Sequence, residues 1–242
     1  MRFKYNIFFV FCFFYSLSFA YINIYPLAFD QRIDGMGAIR DFTLTNTTKK
    51  TVKYIVNIEK GRDNDMSSWT EVYPKTLTLK PGTKGEIKLY VRSPKNMPLG
   101  EYSAVLNVKE LEVPTEKKDR KKVNVFTNLK VNIYGYIGKL DSSISLKNIK
   151  VIQTKNNLKL SGLVKNESLR RVNLEVLLGD SKENKTVLIT EFKLRKGEEI
   201  DLSTLKIVLD KDTQVGDITK LKYIYFYEKG VGKFLKREII GS

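Results

Sequence analysis

Histidine is absent from this 242-residue sequence, and cysteine occurs once, as Cys12. Serine–histidine and cysteine–histidine nucleophile pairs are therefore excluded, as are zinc sites with histidine ligands. A serine–lysine dyad or a carboxylate pair stays open, but the acidic residues lie in mixed charge clusters such as 116–119 and 198–201. Such clusters are typical of solvated turns. The sequence predicts a protein that is not an enzyme and that has no metal site and no cofactor.

Long apolar runs are also scarce, and the main one is at the N-terminus. The basic residues Arg2 and Lys4 precede an apolar run over residues 7–19, and small side chains follow at the positions that a signal peptidase reads. The run is too short to span a membrane. Residues 1–20 are predicted to be a cleavable signal peptide, with a retained anchor as the alternative. The remaining chain is expected to be exported, without stable membrane insertion.

The single cysteine lies inside this predicted signal peptide. The exported chain would then contain no cysteine and could form no internal disulfide, even in an oxidising compartment. Its stability would depend on burial alone, for which two domains of about a hundred residues are long enough.

Acidic residues are outnumbered by basic ones, 27 against 43, which gives a formal net charge of +16. Nucleic-acid binding is not predicted, because the lysines alternate along predicted strands and fill turns, as on a solvated sheet face. An exported basic protein is expected to meet acidic polypeptides, acidic glycans or anionic lipid surfaces.

Residues 22–137 consist of short alternating segments divided by turn residues, the pattern of a β-sandwich. Residues 52–58 alternate with a period of two, and a Pro-Gly turn follows at 81–82. The longest alternation runs from Val123 to Ile133, and its opposite face carries the polar residues Asn124, Asn128, Lys130 and Asn132.

The second half of the chain repeats the first in outline. Residues 42–46, which end at an asparagine turn, are echoed by 163–166, and the turn at 79–82 is echoed by 194–197. Asn46 and Asn166 each begin a glycosylation sequon as well, but a turn explains both without modification. The order of the echoes favours a duplicated domain over one larger barrel.

We therefore predict an all-β protein with two immunoglobulin-like β-sandwich domains in tandem, at 21–138 and 139–242. Gly135 and Gly138 flank the predicted hinge.

Several features of the first half carry a resemblance to a known family. They are the opening strand over residues 22–29, the strand and turn at 42–46, the segment Leu-Thr-Leu-Lys-Pro-Gly at 77–82, and the Gly-Glu-Tyr turn at 100–102. A long charged loop and the strand that begins at Val123 complete the series. Each motif is weak alone, but their order resembles the PapD-like periplasmic chaperones of the chaperone–usher pilus pathway.

This resemblance implies a physical mode of action. Pilus subunits of that pathway are immunoglobulin-like domains that lack one strand, and the chaperone lends them the last strand of its first domain by β-strand addition. Val123 and Val125 match the residues that fill the subunit groove, and Thr127 is next on the same face. Each fully inserted valine would contribute about 1.5–3 kcal/mol. Leu129, Val131 and Ile133, deeper in the strand, are expected in the chaperone's own core.

The family also binds the subunit's terminal carboxylate with a basic pair in the cleft between its domains. Lys130 matches the lysine of that pair, and a charge-assisted hydrogen bond would set the register. The alternative is a lysine that merely faces solvent. The partner arginine is missing, because Pro26 and Leu27 hold the aligned place, and whether Arg32 replaces it is open.

The predicted function is therefore a chaperone that escorts pilus or fimbrial subunits to an outer-membrane usher. The alternative is a structural or adhesive protein of the envelope or cell surface. The two differ at residues 123–127, which a chaperone must leave at an available edge, guarded by charges such as Lys121 and Lys122. A structural module would bury them permanently.

Overall fold

The structure, a computed structural model, describes residues 22–111, 126–154, 157–180, 186–208 and 221–240. The predicted signal peptide, Val123 and Val125 lie outside these residues. The described parts contain sixteen β-strands and two short 3-10 turns, at Ser67–Trp69 and Leu202–Thr204. None of their helical segments has the length and apolar character needed to span a membrane.

The strands fall into two groups along the chain. The first group is β1 (Ile22–Tyr25), β2 (Phe29–Arg32), β3 (Ala38–Asn46), β4 (Val52–Lys60), β5 (Thr70–Tyr73), β6 (Thr76–Leu79), β7 (Lys84–Val91), β8 (Gly100–Leu111) and β9 (Asn128–Ile137). The second group is β10 (Ile144–Thr154), β11 (Asn157–Asn166), β12 (Val172–Gly179), β13 (Thr186–Leu194), β14 (Glu199–Asp201), β15 (Tyr223–Glu228) and β16 (Lys233–Ile239).

Each group forms a module of two sheets around its own hydrophobic core. In the first module the sheets have the orders β1-β3-β7-β5 and β2-β9-β8-β4-β6, and in the second β10-β11-β14 and β13-β12-β15-β16. The buried apolar residues form one cluster from Ile22 to Ile137 and another from Ile144 to Phe226. The all-β prediction is confirmed.

The alternation in the sequence explains which side chains are buried. In β4, Val52, Tyr54 and Val56 are buried, whereas Lys53 and Ile55 between them are exposed. This is the period of two that a strand imposes when one face covers a core.

A buried asparagine fastens the same turn in each module. Asn46 Nδ2 lies 2.8 Å from the carbonyl oxygen of Lys50, 3.0 Å from that of Leu79 and 3.2 Å from that of Lys80, and its Oδ1 accepts a hydrogen bond from Thr48 N at 2.9 Å. Each backbone group would otherwise be left partly unsatisfied near the core.

Asn166 repeats this arrangement 120 positions later. Its Nδ2 lies 2.8 Å from the carbonyl oxygen of Arg170, 3.2 Å from that of Leu194 and 3.0 Å from that of Arg195, and its Oδ1 accepts from Ser168 N at 2.8 Å. Both asparagines are fully buried. The predicted turns, and the echo between the two halves, are confirmed.

Gly135 does not belong to a hinge. It is buried inside β9, where an added Cβ would lie 2.6 Å from Ile33 Cδ1 and 3.0 Å from Met66 Sδ. The glycine is needed there because core side chains press against the backbone. The strand continues to Ile137, and Gly138, with a φ of +80°, follows its end.

Candidate functional site

The last strand of the first module has one closed edge and one partly open edge. β8 pairs with β9 in antiparallel fashion from Asn128 to Ile137. On the other side, β2 pairs with β9 in parallel, but only from Ile133 to Tyr136. In the part of the chain that the structure describes, residues 128–132 therefore have a strand partner on one side only. Their outer backbone groups are a template for a further strand.

Side chains of β9 alternate between the core and the outer face. Val131 and Ile133 are buried and Leu129 packs against the same cluster, which confirms the expectation that these residues belong to the module's own core. Lys130 and Asn132 are exposed on the opposite face.

Thr127 precedes β9 and is half-buried. Its backbone N donates to Glu110 Oε2 at 3.1 Å, and its carbonyl oxygen accepts from Glu110 N at 2.8 Å. The main chain at Thr127 is therefore still tied to the end of β8. The role of its side chain in binding a partner stays a prediction.

Lys130 lies on the outer face of the five-stranded sheet. Its Nζ is 2.7 Å from Glu59 Oε2, and Glu59 Oε1 accepts from Asn107 Nδ2 at 2.5 Å. The hydrogen bond from Lys130 holds the pKa of Glu59 below its usual value. Glu59, Asn107 and Lys130 thus form a network across β4, β8 and β9.

A cleft of about 530 Å³ separates the two modules. The first module contributes Asp30, Arg32 and Tyr136 to its wall. Many of the other wall residues are basic: Lys139, Arg170, Arg171, Lys229 and Lys233.

Arg32 reaches this cleft but is already paired. Its Nε and Nη2 lie 2.5 Å and 2.7 Å from the two carboxylate oxygens of Asp34, and the hydrogen bond from Arg32 lowers the pKa of Asp34. Arg32 is aligned with Tyr136 of β9, six positions beyond Lys130. Six residues of strand span about 20 Å, so the structure does not bring Arg32 and Lys130 together.

Arg171 joins the modules, and the sequence analysis did not identify it. Its Nη2 lies 2.8 Å from Asp30 Oδ2, its Nη1 lies 3.1 Å from Glu101 Oε2, and its guanidinium carbon is 3.3 Å from the centre of the Tyr134 ring. The backbone is connected as well, because Glu101 N donates to the carbonyl oxygen of Leu169 at 3.2 Å.

Burial raises the pKa of Glu101, even though Arg171 works in the opposite direction. The desolvation of the carboxylate therefore outweighs the attraction of its counter-charge. The only sequence signals were the Gly-Glu-Tyr turn and the adjacent Arg170 and Arg171, and neither indicates that they meet.

A second buried charge network anchors the segment between β9 and β10 to the second module. Arg170 Nη2 lies 2.5 Å from Glu228 Oε1 and 2.8 Å from Ser142 Oγ, and Arg170 Nε donates to the carbonyl oxygen of Leu140 at 3.0 Å. Ser142 also donates to Glu228. The network therefore fastens residues 140–142 to Arg170 and Glu228 of the second module. Within the described ranges, no cluster of three acidic side chains is arranged to hold a metal ion.

Comparison with solved structures identifies proteins that share this fold. No known family profile matches the sequence, and no curated protein does so. The class 5 fimbriae chaperone CfaA is 13% identical, with a TM-score of 0.54, and the match covers 91% of this chain and 99% of that one. The chain has the fold of the fimbrial chaperones.

Two further structures agree. The YadV chaperone is 12% identical with a TM-score of 0.50, over 91% of this chain and 100% of that one. A chain from the chaperone–tip adhesin complex of CFA/I fimbriae is 12% identical with a TM-score of 0.50, and the match covers 91% of this chain and 99% of that one. The two-module immunoglobulin-like fold that the order of motifs predicted is confirmed.

Proposed function

We propose that this protein is a periplasmic chaperone that holds pilus or fimbrial subunits by adding a strand to them. The observation that carries the proposal is the edge of β9, open over residues 128–132 and closed by β2 from Ile133 onward. An edge of this kind accepts main-chain hydrogen bonds from an extended segment. The fold shared with fimbrial chaperones supports the same function.

Val123 and Val125 precede β9 in sequence and fill pockets in the subunit groove, with Thr127 next to them. Their alternation continues that of Leu129, Val131 and Ile133. Residues of one face thus serve two cores, the partner's first and the chaperone's own after it.

Lys130 binds the terminal carboxylate of the subunit. A strand added parallel to β9 cannot pass Ile133, where β2 occupies the edge, so its last residue lies near Lys130. A carboxylate there gains a charge-assisted hydrogen bond.

Residues 1–20 act as the signal peptide that brings the chain to the periplasm, and an outer-membrane usher receives the subunit afterwards. The complex of a chaperone with a tip adhesin, whose chain this protein resembles in fold, supports a subunit partner. The action is binding, without a chemical step.

The proposal is tested by co-expressing the chain with a β-rich subunit encoded beside its gene and recovering the pair through a tag on the chaperone. Val125→Asp should abolish recovery of the subunit, because it buries a charge in an apolar groove. Asn124→Asp, on the opposite face of the segment, is the matched control and should recover as much subunit as the parent. Equal recovery by folded Val125→Asp would refute strand addition through this face.

A further inference from the structure

The ammonium of Lys130 donates to a carboxylate of its own chain, that of Glu59. Its partner Glu59 lies 71 positions away in sequence and is held in place by Asn107, which is aligned with Lys130 across the β8–β9 pair. The side chains of Lys130 and Glu59 are 55% and 34% exposed. An incoming group therefore has access to both members of the pair.

Asn107 is only half satisfied in this arrangement. The residue is 6% exposed, and its Oδ1 is buried without a hydrogen-bond partner in the part of the chain that the structure describes. A buried acceptor that lacks a donor costs free energy. An ammonium has three donors, and among the described residues Lys130, aligned with Asn107, donates to Glu59 alone. Within the described residues, a buried acceptor without a donor and unused ammonium donors therefore lie at one place.

Resting on the proposed function, we propose that Glu59 is an internal competitor for Lys130, which a partner's terminal carboxylate must displace. The two carboxylates are chemically alike, so Lys130 binds one at the expense of the other. Glu59 thereby lowers the affinity for any anionic strand end.

The charge balance of the site makes the direction of the effect clear. With Glu59 ionised, the Glu59–Lys130 pair is neutral, and an added carboxylate makes the site negative. With a neutral glutamine at position 59, the same carboxylate meets an uncompensated cation. Because the pKa of Glu59 is lowered, the glutamate stays ionised and competes throughout the neutral pH range.

The test uses a fluorescent twelve-residue peptide of alternating valine and threonine, made with a free terminal carboxylate and as the terminal amide. Affinity is measured by fluorescence polarisation for the parent chain and for Glu59→Gln. The variant should bind the free acid about twofold to fivefold more tightly, the range that an exposed ion pair supplies. It should bind the amide as the parent does. Glu71→Gln, an exposed glutamate of β5 in the other sheet, is the matched charge control and should change neither affinity.

Three results would count against the inference, and they differ in what else they refute. If Glu59→Gln binds the acid no more tightly than the parent, or gains equally for acid and amide, Glu59 is no competitor, while strand addition stands. If the parent binds neither form, addition to β9 fails as well, and both proposals fall. Lys130→Ala should erase the difference between acid and amide, because the cation that distinguishes them is gone.

Discussion

Asn46 and Asn166 show how much one side chain does in a turn. Each donates its amide hydrogens to three carbonyl groups, and its side-chain oxygen accepts a hydrogen bond from the backbone N–H two residues later. An asparagine has two donors and an acceptor on one rigid plane, which serine or aspartate at that place would not supply. The residue type that made the sequence look like a sequon is therefore required by the backbone, and both amides are buried.

Replacement of Asn46 by alanine should lower the unfolding free energy by about 3 kcal/mol, because several carbonyl groups in and near the core lose their hydrogen-bond donor. The measurement is urea-induced unfolding followed by intrinsic fluorescence. Asn57→Ala, at an exposed position of β4, is the control and should stay within about 0.5 kcal/mol of the parent. If the two variants unfold at the same urea concentration, the hydrogen bonds of Asn46 contribute nothing net.

At the scale of elements, β2 decides how much of β9 is available. It has four residues and pairs with β9 in parallel over all of them. Buried Phe29 and Ile33 hold its two ends in the first core. Ile33 N also donates to the carbonyl oxygen of Tyr136 at 2.9 Å, so the junction is hydrogen-bonded beyond the last strand residue.

Gly135→Ala should loosen this junction, because the new methyl group meets Ile33 in a packed core. Overpacking of this kind costs about 1–3 kcal/mol. Amide hydrogen exchange over residues 29–33 should therefore become faster than in the parent. The double variant with Ile33→Val removes the atom nearest to the added methyl and should recover most of the protection. Unchanged exchange in the single variant would show that the contact is relieved at no cost.

The strands themselves were predictable from sequence, and their partners were less so. Alternation such as that of Val52, Tyr54 and Val56 reports burial directly. The pairing of β2 with β9 joins segments about a hundred positions apart through only four residues, which leaves no periodic signal. The Glu59–Lys130 pair and the contacts of Arg171 likewise join residues that are far apart in sequence, so no local spacing in the sequence predicts them. Lys130 was singled out by resemblance, but its partner Glu59 was not.

At the scale of the whole molecule, Arg171 connects the modules through charges that are mostly out of water. Its side chain and that of Glu101 are 15% and 17% exposed. Removing Arg171 leaves two carboxylates, Glu101 and Asp30, without their counter-charge. Neutralising Glu101 instead removes a carboxylate whose desolvation outweighs the attraction of Arg171, and Arg171 keeps Asp30 as its partner. The two partners of this contact should therefore respond to mutation in opposite directions.

Arg171→Met should lower the unfolding free energy by about 3 kcal/mol at pH 7, and small-angle scattering should show a wider range of module orientations. Glu101→Gln should instead match or exceed the parent at pH 7. The folded state raises the pKa of Glu101, so it binds the proton more tightly than the unfolded chain does. The charged carboxylate then costs stability above its folded pKa, and that cost disappears as the pH falls below about 4.

Urea unfolding of the parent and Glu101→Gln at pH 7 and pH 4 checks this sign. The advantage of the glutamine should be present at pH 7 and absent at pH 4. If Glu101→Gln is the less stable protein at pH 7, the attraction of Arg171 exceeds the desolvation of Glu101.

The start of β2 at Phe29 also limits how far a strand added to β9 can extend. On the proposed mode of binding, the distance from the groove-filling residues to this barrier is fixed, so a subunit is measured by how many residues follow its last pocket. Even a short extension at the subunit's C-terminus collides with β2 or must leave the sheet. The chaperone would thus bind subunits with the native C-terminus and reject subunits with a C-terminal extension. An affinity tag for purifying the complex therefore belongs at the N-terminus of the subunit.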